Sequence, residues 1–170
     1  MTHLQELNII SGCNELDLYL PPEIGNLCHL ATLKLSGFYK LSSLPKEIGD
    51  LSCLKQLTLV RCGNLSSLPV EVGKLAALED LDVYYCGSLT SLPAEIGGLS
   101  NLKRLNLSYC SELKFLPAEI ENLKALEVLD LSSCHSLTSL PAEIGGLSTL
   151  KRLTLSECSE LNILPADIGN

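Results

Sequence analysis

The chemically reactive residues in this chain are eight cysteines, three histidines and 20 acids. Thiols and imidazoles at short spacing would ligate zinc, adjacent thiols would oxidise to disulfides, and paired carboxylates would transfer protons. The spacing supports none of these. Cys62, Cys86, Cys110, Cys134 and Cys158 recur at a fixed long interval, with Phe38 in the equivalent place one step earlier and Cys13 as a displaced relative. No Cys-x-x-Cys pair occurs, and His3, His29 and His135 do not cluster. A thiol at such an interval reads as a small buried side chain that donates weakly to a backbone carbonyl at a turn. Thiols that all point one way make poor disulfide partners. Free, reduced cysteines are expected, with no metal, no cofactor and no catalytic constellation. Cys28 and Cys53 fall between these positions.

The acids follow the same interval. Glu23, Glu47, Glu71, Glu95, Glu119, Glu143 and Asp167 form one column, seven of the 20 acids, and without it 13 acids face 12 bases. Each acid stands two residues after a proline, where the unpaired N–H groups of a short first turn favour a carboxylate by roughly 0.3–1 kcal/mol. The column therefore predicts capping.

A smaller set of residues varies from one interval to the next. Lys55, Glu79, Lys103, Glu127 and Lys151 alternate in sign, and directly opposed unlike charges on neighbouring strands contribute roughly 0.2–1 kcal/mol per pair. The next column reads Gln56, Asp80, Arg104, Val128, Arg152, and a third reads Lys34, Thr58, Asp82, Asn106, Asp130, Thr154. Tyr84, Tyr85 and Tyr109, three of the five tyrosines, fall in one patch with Arg61 one interval earlier. Tyr and Arg are the residues most often found at the energetic centres of protein interfaces. The candidate protein-binding residues are Arg61, Tyr84, Tyr85 and Tyr109, with Asp80, Asp82, Arg104, Asn106, Asp130 and Arg152 beside them.

The element that positions all of these is a repeat. Leu-Pro begins at Leu20, Leu44, Leu68, Leu92, Leu116, Leu140 and Leu164, each 24 residues after the last. Residues 1–19 form an irregular partial unit, 20–163 six full units, and 164–170 a truncated seventh. In each unit Leu-x-Leu has the alternation of a half-buried strand, as at Leu57 and Leu59. The segment Pro-x-Glu-Ile-Gly-x-Leu opens on a Pro suited to a first helical position and is short enough for only a 3₁₀ or single helical turn. One strand and one compact return make a coil, and stacked coils make a parallel sheet roughly 4.8 Å per strand. No unit buries its leucines alone, so stability comes from its neighbours. Residues 92–115 and 140–163 agree at 19 of 24 positions, which suggests a duplicated unit of 48 residues.

The run Leu-Pro-x-Glu-Ile-Gly-x-Leu, then Leu-x-x-Leu-x-Leu-x-x-Cys-x-x-Leu, identifies leucine-rich repeats. It resembles the repeat region of plant intracellular nucleotide-binding disease-resistance receptors, and also the plant Ras-group leucine-rich-repeat proteins. The resemblance implies an α/β solenoid, a horseshoe with a parallel β-sheet on its concave face and short 3₁₀, helical or irregular returns on its convex face. It also implies a partner that is a pathogen effector or a signalling domain of the same polypeptide. The chain has no Gly-x-x-x-x-Gly-Lys-Ser/Thr loop, so it carries no nucleotide switch of that type.

Composition narrows the function further. A net charge of −8 argues against a nucleic-acid partner. No apolar run approaches the ~18–20 residues of a membrane span. The first residues, Met1 to Glu6, lack a basic and then apolar leader, so a cytoplasmic location is expected and the sequons at Asn64 and Asn106 read as chance. The sequence predicts a non-enzymatic module that recognises another protein with its concave face. The alternative is a structural or self-associating array, a fragment or a consensus-like design. The end at Asn170, inside a repeat, predicts a piece of a longer array and a weak homodimer.

Overall fold

The computed structural model of the chain describes residues 3–11 and 19–169. Seven strands lie in sequence order in one parallel sheet. They are β1 (Glu6–Ile10), β2 (Thr32–Ser36), β3 (Gln56–Val60), β4 (Asp80–Tyr84), β5 (Arg104–Asn106), β6 (Val128–Asp130) and β7 (Arg152–Thr154). From β2 onward every paired residue meets the one 24 positions later, as Leu57 with Leu81 and Leu81 with Leu105. Leu7 pairs with Leu33, two residues further along than the repeat, so the displaced first unit still joins the sheet.

Alternation divides each strand between two environments. Leu33, Leu35, Leu57 and Leu59 are fully buried, while Lys34 between the first two faces solvent. The buried leucines of successive coils form one continuous core with Ile48, Val72, Ile96 and Ile120 from the opposite side. Those residues come from 3₁₀ turns such as Lys46–Asp50, Val70–Lys74, Ala94–Gly98 and Ala118–Asn122.

The returns are 3₁₀ segments rather than α-helical turns. The recurring proline stands one place before each segment rather than inside it: Pro45 has φ −67° and ψ 147°, and its carbonyl accepts from the Ile48 N–H at 3.0 Å. The cap position is therefore filled by a residue without a side-chain acceptor, and no side-chain cap hydrogen bond forms there. The acids sit in the first turn, as their spacing predicts, but they do not occupy the cap. Two residues later a glycine meets the next coil: a Cβ on Gly49 would stand 2.6 Å from the Glu71 carbonyl oxygen. Coils pack backbone to backbone on this convex side. The Asp167 side chain and Cys13 lie outside the described residues.

From β2 onward each strand leads into the same unusual turn. Arg61, Tyr85, Tyr109, Ser133 and Glu157 all have φ between 56° and 61°, and Gly37, one coil earlier, has φ 76°. This left-handed conformation costs a residue with a Cβ roughly 1–2 kcal/mol. It turns each amide onto the following coil: Arg61 N–H donates to the Tyr84 carbonyl at 2.9 Å, and Tyr85 N–H to that of Ser108 at 3.0 Å.

Candidate protein-binding face

The cysteine column follows that turn. Cys110, Cys134 and Cys158 each donate from Sγ to a carbonyl of the coil before, those of Val83 (3.2 Å), Leu107 (3.2 Å) and Leu131 (3.1 Å). Cys62, Cys86, Cys110 and Cys134 are buried, and all seven described cysteines are free. Burial pushes the Cys110 and Cys134 thiols up to about 12, so neither is a nucleophile at neutral pH. The column is a polar seam between coils, which keeps the reactive side chains in the frame rather than in a site.

The charged columns on the sheet face meet across strands. Lys103 Nζ lies 2.7 Å from Glu79 Oε2, and Lys151 Nζ lies 2.8 Å from Glu127 Oε2. The lysine bonds hold both glutamates below the usual carboxylate range. Arg104 donates to Asp80 at 2.8 Å, and Asn106 to Asp82 at 2.9 Å. Burial raises the Asp82 carboxyl, against the pull of its bond from Asn106. Arg152 is exposed at the β7 edge.

Asn106 and Asp130 have a second role. Their side-chain oxygens accept both the N–H (2.9 Å) and the hydroxyl (2.6 Å) of Ser108 and Ser132 respectively. Such local bonds compete with the strand ladder, and β5 and β6 are three residues long where β3 and β4 have five. Asn106 is half-buried and committed in both amide functions.

At the strand ends the structure gathers Arg61, Tyr84, Tyr85 and Tyr109 into one aromatic cluster. The Tyr85 and Tyr109 rings stack at 5.3 Å between centroids, and Tyr84 meets Tyr109 edge-on at 5.5 Å. The Arg61 guanidinium lies over the Tyr85 ring at 6.0 Å. Tyr85 and Tyr109 stay about half exposed, at 50% and 44%. They belong to the left-handed column, so their side chains leave the sheet at its rim. Arg104 pairs with Asp80 and Asn106 with Asp82, while Asp130 bonds Ser132, so these residues are tied to the sheet rather than to the rings.

Beside the rings runs a groove of about 380 Å³ that the sequence reading did not include. Tyr39, Gly63, Gly87, Ser111 and His135 line it, one residue from each of five successive coils, with Ser133 and the two tyrosines along its side. The signal was present in the sequence: these five positions each follow the Cys column by one residue.

This stack of near-identical coils, each one strand and one 3₁₀ return in a single parallel sheet, defines a repeat solenoid. The chain belongs to the leucine-rich repeat family: the family profile described as a leucine-rich repeat region matches residues 2–114 and 94–170. No curated protein sequence matches it. A leucine-rich repeat protein of Leptospira interrogans is 35% identical over 98% of this chain and 46% of its own length, with a TM-score of 0.59. The leucine-rich repeat domain of the type III effector XopL is 26% identical over 97% of this chain and 64% of that one, with a TM-score of 0.67. The ectodomain of the receptor kinase SOBIR1 from Arabidopsis thaliana is 26% identical over 73% of this chain and 67% of that one, with a TM-score of 0.56. The chain thus spans less than two thirds of the first two of these structures. Leucine-rich repeat domains generally mediate protein–protein interaction and are typically non-catalytic.

Proposed function

We propose that this chain recognises another protein with its concave sheet face and rim, in plant-type immune sensing or signalling. The observation that carries the reading is the half-exposed stack of Tyr85 on Tyr109, flanked by Tyr84 and Arg61. Rigid aromatic side chains and arginine give large contact area at low entropic cost. Asp80, Asp82, Arg104, Asn106, Asp130 and Arg152 supply a mixed-charge surround that selects a partner of mixed charge. The repeat pattern's resemblance to plant disease-resistance receptors supports the immune role, with a pathogen effector or a signalling domain of the same polypeptide as partner. The acidic balance disfavours nucleic acid, and the reduced thiol seam fits a cytoplasmic setting. No helix among the described residues is long and apolar enough to cross a membrane.

The test is an affinity capture from plant lysate with wild type beside a Tyr84→Ala/Tyr85→Ala/Tyr109→Ala variant. A partner retained by wild type and lost by the folded variant is the expected result; equal retention rejects the face. A second reading, a self-associating array, draws on the near identity of residues 92–115 and 140–163. Sedimentation at rising concentration separates the two, since only the array forms higher species without a partner.

A further inference from the structure

The rim groove has features that the frame does not require. Most glycines on the convex side are held by close backbone approach, but Gly63 and Gly87 are not. A Cβ on Gly87 would lie 3.5 Å from Ser111 Oγ, and one on Gly63 would lie 3.8 Å from the Tyr39 ring, both ordinary contacts. Neither has a positive φ. Without side chains at these positions the floor stays low between Tyr39 and the stacked tyrosines.

The floor cannot extend a β-sheet onto a ligand. The carbonyls of Gly87, Ser111 and His135 already accept from Glu112, Ser136 and Glu160 of the next coil at 3.2, 3.0 and 3.3 Å. A β-strand peptide would find no ladder here, whereas a polyproline II segment needs none, because its backbone is satisfied by water. Aromatic-lined grooves are the usual receptors for such segments.

The dimensions match. Four coil spacings separate Tyr39 from His135, about 19 Å at ~4.8 Å each. A polyproline II helix rises about 3.1 Å per residue and repeats every third residue, so one turn covers about 9.3 Å, nearly two coil spacings. Six residues, two turns, fill the groove with every third side chain over alternate coils. The groove lining contains no acid, and Arg61 stands over Tyr85 at its side, so the favoured ligand carries an acidic residue there.

We infer that the groove of Gly63, Gly87, Tyr85 and Tyr109 binds a proline-containing, acidic polyproline II segment of a partner protein. This inference rests on the protein-recognition reading and assigns that reading a ligand class and a subsite.

The probe is a capped heptapeptide with prolines three residues apart and one aspartate, titrated into the whole chain by fluorescence anisotropy. Matched peptides replace the prolines with alanine, or the aspartate with lysine. The expected result is binding of the Pro/Asp peptide at least tenfold tighter than its alanine counterpart. Gly87→Val, which fills the floor, and Tyr85→Ala/Tyr109→Ala each lose that binding tenfold or more with an unchanged circular dichroism spectrum. Arg61→Gln reduces the preference for aspartate over lysine at least threefold. Equal binding of the proline and alanine peptides, no binding of either, or full binding by folded Gly87→Val overturns the inference. If a captured protein is lost by the triple tyrosine variant yet kept by Gly87→Val, the recognition reading stands and the groove assignment fails. If neither peptide nor protein binds, both fail.

Discussion

At the scale of single residues, two kinds of side chain behave against their ordinary chemistry because of where the repeat puts them. Asp82 sits in the middle of the sheet face, and burial raises its carboxyl above the usual range. Its ionised form is therefore penalised in the folded chain only, so the cost is present above the folded pKa and vanishes as pH falls to the ordinary aspartate value. Asp82→Asn, which keeps an acceptor for Asn106, is expected to raise stability at pH 7 and to change it little at pH 3. Urea unfolding at both pH values checks this, and an equal gain at both would reject it. Thiol protection is the second consequence. Brief iodoacetamide treatment at pH 8 is expected to alkylate exposed Cys28 and Cys53 and to spare Cys110 and Cys134, whose thiols are buried and pushed up to about 12. Peptide mass spectrometry reads this out, with full labelling of Cys110 appearing only in denaturant.

At the scale of elements, the left-handed residue that follows each strand from β2 onward sets both stability and display. Gly37 is the only glycine in that column, and a Cβ there would stand 2.5 Å from the Ser11 carbonyl oxygen. Gly37→Ala is expected to cost about 2 kcal/mol or more, because steric conflict adds to the unfavourable φ. Glu157→Gly goes the other way: release of its φ of 60° outweighs glycine's extra entropy loss, for a net gain of a few tenths to about 1 kcal/mol. Differential denaturation of the two variants tests both signs. This column also marks the limit of what the sequence discloses. The strands, the buried Leu-x-Leu pairs and the carbonyl-bonded thiols were legible, because a strict period forces each residue type into one environment. The tyrosine cluster was half legible: adjacency across strands follows from the 24-residue spacing, but its projection at the rim follows from a backbone conformation that Arg61, Tyr85 and Tyr109 do not favour by type. The line of the groove was legible in the residues that follow the Cys column, but its depth was not, since it is made by side chains that Gly63 and Gly87 lack. The placement of proline before each 3₁₀ segment likewise depends on backbone geometry that residue identity leaves open.

At the scale of the whole molecule, each coil touches only its neighbours, so stability is a sum along one axis. Central coils bury their leucines completely, as at Leu57, Leu81 and Leu105, while Leu150, Leu153, Leu155 and Leu161 are only partly covered. Amide hydrogen exchange is expected to be slowest in β3–β5 and to quicken toward β7; uniform protection would reject a nearest-neighbour molecule. The unbroken register of β2–β7 has a consequence for heredity. Excising residues 116–139 would bring Phe115 to Leu140 across a seam identical to the one removed, place Asn106 beside Thr154, and set Cys158 against the Leu107 carbonyl in place of Cys134. Arg61, Tyr84, Tyr85 and Tyr109 would keep their mutual geometry, though the groove would lose its His135 end. A gene for such a chain can lengthen or shorten by whole coils through unequal crossing-over, so the reach of its surface can change in a single generation without a new fold.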